Sequence, residues 1–63
     1  MDWIKIENHK PRNNSKVWAM ACYGDAVLVT VKLVKDRNYV NGTLDNGVVI
    51  RRCTKWATYD VIY

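Results

Sequence analysis

Between Ala26 and Lys35 the odd positions Val27, Val29, Val31 and Leu33 are apolar, while Thr30 and Lys32 point the other way. A period of two in β-branched residues cannot form the apolar stripe of a helix, and it reads as a half-buried strand. One strand cannot bury its own face, so the rest of the chain must supply a sheet. Trp3 to Glu7 alternates Ile4 and Ile6 against Lys5 and Glu7, a short strand. Val17 to Tyr23 is apolar at every position, as in a strand covered on both faces. Tyr39-Val40 begins another, and Val48-Val49-Ile50 forms one with Arg51 and Arg52 at its end. Lys55 to Tyr63 sets Ala57, Tyr59 and Val61 against Thr58 and Asp60. No segment carries a 3.6-residue stripe.

Polar segments separate these runs. Asn8 to Ser15, with Pro11 and two further asparagines, reads as a loop, and Gly24-Asp25 and Asp36-Arg37-Asn38 read as turns. Asn41-Gly42 and Asn46-Gly47 are both hairpin signals, and either can be the tight two-residue turn. The prediction is an all-β fold. Residues 1–63 form a single small domain, an antiparallel barrel or strongly curved sheet of about five short strands. The expected core is Ile4, Val17, Val27, Val29, Val31, Leu33, Val49 and Trp56, with Trp18 inside as well.

Sixty-three residues limit what such a core can do. Apolar burial at about 25 cal/mol/Å² nearly cancels an ordering cost of about 1.5 kcal/mol per residue. No large internal cavity fits, and a homo-oligomer or a bound partner is expected to add stability. The apolar run Val17 to Tyr23 is far short of the ~20 residues of a membrane span. Met1-Asp2-Trp3-Ile4 lacks the basic start of a secretory signal. A cytoplasmic protein with no membrane association is therefore expected.

The residues of catalysis are scattered. Ser15 is the only serine and His9 the only histidine, and neither has a sequence neighbour that completes a triad. The six acids form no metal or acid–base motif, and the three glycines sit in turn signals rather than a phosphate loop. Cys22 and Cys53 lie thirty-one positions apart, outside any CxxC pair. They are expected reduced, with a disulfide geometrically possible only if their strands are neighbours. These patterns predict no enzyme, no metal and no cofactor.

Binding has more support. The net charge is +4, favouring nucleic acid or an acidic protein surface. Lys32, Lys35 and Arg37 flank one strand end, and Arg51, Arg52 and Lys55 lie near another, with Tyr39 and Trp56 close in sequence. Small barrels hold single-stranded nucleic acid on such basic, aromatic faces. Outward Lys and Arg also keep any β surface soluble, so nucleic acid is the alternative reading. The aromatic residues are all Trp and Tyr, the types that dominate protein-interface hot spots. Trp3, Tyr39, Tyr59 and Tyr63, with Arg51 and Arg52, are the candidate partner-binding residues.

Trp3-Ile4 near the start, Pro11, Val17-Trp18-Ala19 and Thr54-Lys55-Trp56 near the end resemble a small phage and prophage family of unknown function. Its members open with Trp-Ile-x-Val, reach a Leu-Pro before a Val-Leu-Val strand, and close with Thr-His-Trp-Met-Pro-Leu-Pro. Here Lys55 stands for the histidine and Ala57 for the methionine, and Thr58-Tyr59-Asp60 replaces the Pro-Leu-Pro tail. The resemblance implies a phage-encoded accessory protein of small β-rich fold and transfers no activity. Combined with the missing catalytic set, it gives the leading expectation of stoichiometric binding to a host protein, as an inhibitor of a defence or gene-expression factor.

Overall fold

The computed structural model describes residues 2–21 and 23–59. Six strands run through them: β1 (Ile4–Lys5), β2 (Lys16–Met20), β3 (Ala26–Leu33), β4 (Val40–Thr43), β5 (Val49–Cys53) and β6 (Lys55–Thr58). They form one antiparallel sheet in the order β1-β6-β2-β3-β4-β5, and no helix occurs among the described residues. The fold is all-β, as the period-two pattern requires. The six strands fall in the six segments where the sequence shows strand patterning, with Thr54 separating β5 from β6.

Thr54 alone separates β5 from β6, yet three strands lie between them in the sheet. The sheet must therefore curl until the end of β5 meets the start of β6. The Ile6 N–H donates to the Thr54 carbonyl at 2.9 Å across that corner. No ladder joins β5 to β1 among the described residues, so this is a strongly curved open sheet and not a closed barrel.

The concave face holds Ile6, Val17, Ala19, Val29, Val31, Val40, Cys53 and Trp56. Of the expected core, Val17, Val29, Val31 and Trp56 are buried, while Ile4 and Val27 are half-buried. Leu33 and Val49 are instead 41% and 48% exposed. Leu33 ends β3, and Val49 pairs with Thr43, which turns it to the convex face while Ile50 packs against the core. Strand β2 alternates rather than being covered twice: Val17 and Ala19 are buried, and Trp18 and Met20 are half-buried on the convex side. Trp18 is thus not a core residue, and its ring meets Tyr59 edge-on at 6.0 Å.

The β2–β3 and β4–β5 hairpins close with the same pair of backbone hydrogen bonds. In one, the Ala21 N–H donates to the Asp25 carbonyl and the Gly24 N–H to the Ala21 carbonyl, each at 2.9 Å. In the other, the Leu44 N–H donates to the Val48 carbonyl at 2.8 Å and the Gly47 N–H to the Leu44 carbonyl at 2.9 Å. The third loop residue has φ of +93° at Gly24 and +91° at Gly47, where a side chain is strained. Asn46-Gly47 is therefore the turn, in a three-residue loop, and Asn41-Gly42 lies inside β4. Gly42 serves close approach: a Cβ there would sit 2.4 Å from Val29 Cγ2 and 2.6 Å from Val29 Cβ.

The polar segment after β1 is a tethered loop. The expected strand from Trp3 to Glu7 stops at Lys5, where a turn begins and the Asn8 N–H donates to the Lys5 carbonyl at 3.0 Å. Further on, Pro11 is buried and the Trp56 indole N–H donates to the His9 carbonyl at 2.8 Å. The His9 ring stacks on Trp56 at 6.1 Å. The Asn14 N–H donates to the Val31 carbonyl at 2.9 Å, and the Leu33 N–H to Asn13 Oδ1 at 3.1 Å. Cys53 is buried, with its Sγ 3.8 Å from the Ile50 carbonyl oxygen. The expectation about Cys22, like those about Tyr63 and Val61, falls outside the described residues.

Candidate functional site

Strand β5 is an edge of the sheet and carries its main irregularity. Gly42 pairs with Ile50 and Val40 with Cys53, so Asn41 alone stands opposite both Arg51 and Arg52. This is a two-against-one β-bulge, which sharpens twist and re-aims side chains. Arg52 takes the extra residue's strain at φ +58°. That left-handed conformation costs a non-glycine residue about 1–2 kcal/mol. The bulge is clipped by the Arg52 N–H, which donates to Asn41 Oδ1 at 3.3 Å.

The re-aimed residues border a groove of about 370 Å³ lined by Val34, Tyr39, Asn41, Val49, Arg51 and Arg52. Tyr39 is half-buried, and both arginines are exposed. Lys32 pairs with Asn41 on β3, which brings a third cation to the same side of the sheet. Its Nζ donates to Asn14 Oδ1. Among the described residues the one ion pair is Lys16 with Asp45 at 3.5 Å, so neither groove arginine is neutralised by a carboxylate there. The groove joins apolar wall, phenol and two guanidinium groups, a combination suited to carboxylate or phosphate oxygens beside an apolar group.

A second cavity of about 250 Å³ lies between Lys5, Glu7, Asn38, Thr54 and Lys55. Lys5 and Lys55 are direct cross-strand partners, a like-charge pairing that is unfavourable in itself, and Glu7 is beside them. Adjacent residues Asn38 and Tyr39 each border one cavity, so the two flank the segment entering β4.

The structure thus gathers three of the expected partner-binding residues, Tyr39, Arg51 and Arg52, and sets Lys32 next to them. Trp3, Tyr59, Lys35, Arg37 and Lys55 lie elsewhere. Trp3 is half-buried ahead of β1, and Tyr59 is half-buried against Trp18 on the convex face. Lys35 and Arg37 are exposed in the β3–β4 turn, and Lys55 belongs to the second cavity. Val34, Asn41 and Val49 were not foreseen. Asn41 looks like a turn residue in the sequence, and Val49 looks like core, so no local signal marks either.

No family model, no curated protein and no solved structure matches this chain. Among the described residues, no three of His, Cys, Asp and Glu come together as a metal site. No helix there is long and apolar enough to cross a membrane.

Proposed function

We propose that this protein is a stoichiometric binding module, without chemistry of its own, that engages an acidic surface of another protein through the β5 groove. The observation that carries this reading is Arg52, an exposed arginine held in a left-handed bulge where glycine would cost less. Strain kept at an exposed, unneutralised cation supports a role in recognition rather than in folding. Interfaces enriched in Tyr and Arg, anchored on an apolar wall, fit the same reading. The phage-family resemblance makes a host-cell protein in the cytoplasm the partner class, with inhibition of that protein the simplest consequence of stoichiometric binding.

Nucleic acid is the second reading, favoured by the placement of Lys32 beside Arg51, Arg52 and Tyr39. The two readings separate in one experiment. Host lysate, with and without nuclease treatment, is passed over the wild-type chain and over the Arg51→Glu/Arg52→Glu variant, and retained proteins are identified. A protein retained by the wild type and lost by the variant is expected. Retention that disappears with nuclease would shift the assignment to nucleic acid. Oligonucleotide affinity should then fall with a log–log salt slope of about −2 for the three cations Lys32, Arg51 and Arg52 on a single strand.

A further inference from the structure

Among the described residues the outer edge of β5 has unpaired backbone as well as charge. The Leu44–Val48 bond and the Gly42–Ile50 pairing set the phase of the β4–β5 ladder. Val48 and Ile50 direct their backbone groups toward β4, so by the alternation of an antiparallel ladder Val49 and Arg51 direct theirs outward. Their side chains lie on the convex face, where Val49 is 48% exposed and Arg51 is exposed.

We propose that this edge takes an extended acidic segment of the partner protein as an added strand, with a carboxylate opposite Arg51 and an apolar side chain opposite Val49. This rests on the binding reading above and specifies its mode. Residues on one face of a strand are two apart, so the recognised pattern is acid-x-apolar.

Two observations favour a partner strand over simple edge protection. Bulges and cations do guard edges against aggregation. Yet a guarded edge does not leave Val49 half exposed beside Arg51, and it does not need the strained backbone of Arg52 when glycine or asparagine would make the bulge. Charge disfavours the second copy as occupant. Two β5 strands paired antiparallel about Arg51 set that residue against itself, and each chain carries a net +4.

The probe is a dye-labelled, acetylated peptide, Glu-Thr-Val-Thr-Glu-Thr-Val, read by fluorescence anisotropy on the full chain. Two versions carry backbone N-methyl groups, one on the Glu and Val positions and one on the Thr positions. An added strand donates through the Glu and Val N–H groups, so methylation there should weaken binding at least tenfold. Methylation on Thr should change it less than threefold, and Arg51→Glu should abolish binding of the unmethylated peptide. Equal loss or equal tolerance for the two methylation patterns would overturn strand addition while leaving the acidic-surface reading intact. No peptide binding, alongside a host protein that Arg51→Glu/Arg52→Glu releases, would do the same. Sedimentation showing a dimer that Val49→Lys dissolves would assign the edge to a second copy and overturn the proposal.

Discussion

Replacing Gly42 by alanine tests how the sheet closes over its core. The added Cβ would meet Val29 Cγ2 at 2.4 Å, Cβ at 2.6 Å and Cγ1 at 2.9 Å, against about 3.5–4.0 Å for comfortable carbon contact. A rotamer change moves the two methyl groups but not Cβ, and Val29 is only 1% exposed, so relief requires β3 and β4 to separate. Overpacking of this kind costs about 1–3 kcal/mol, and a clash with a fixed atom belongs at the upper end. A domain of this size holds about 3–5 kcal/mol in total. Losing 3 from 4 would leave about one molecule in six unfolded at 25 °C.

Urea denaturation followed by tryptophan fluorescence gives the difference directly. Gly47→Ala is the control: it meets no atom within 4 Å but adopts φ +91°, for about 1–2 kcal/mol. Gly42→Ala should therefore cost more than Gly47→Ala, although only Gly47 occupies a turn. Val29→Ala in the Gly42→Ala background removes the methyl groups but leaves Cβ, so it should show favourable coupling and incomplete recovery. A Gly42→Ala protein within 1 kcal/mol of wild type, or one less affected than Gly47→Ala, would refute the close-approach argument.

Other outcomes follow from single contacts. Arg52→Gly relieves the left-handed backbone at the expense of unfolded-state entropy, and a net gain of about 0.5–1 kcal/mol is expected in the same urea assay. The same variant should bind the acidic partner more weakly, and a stabilised variant with unchanged affinity would contradict the functional reading. Trp56→Phe removes the indole N–H that the His9 carbonyl accepts, as well as core volume. A loss of about 1.5–3 kcal/mol is expected, with faster amide exchange in the loop after β1 as the local signature.

What the sequence determined by itself is local. The alternation of Val27, Val29 and Val31 demands a strand with one buried face, and the structure buries Val29 and Val31 completely. Gly24 and Gly47 mark turns because few other residues tolerate a left-handed backbone. Beyond that range the pattern is ambiguous. Val48-Val49-Ile50 has no polar residue to show which parity faces inward, and the register with β4 decides it by turning Val49 outward and Ile50 inward. Asn41-Gly42 carries the same letters as a turn, yet its role comes from Val29, distant in sequence and packed against the missing side chain. The candidate site is of the same kind. Tyr39 and the two arginines are separated along the chain, and they meet because β4 pairs with β5 and Asn41 faces two residues at once. Side-chain periodicity is a property of neighbours along the backbone, whereas pairing, register and curl are set by contacts between distant segments, and these alone bring a binding surface together.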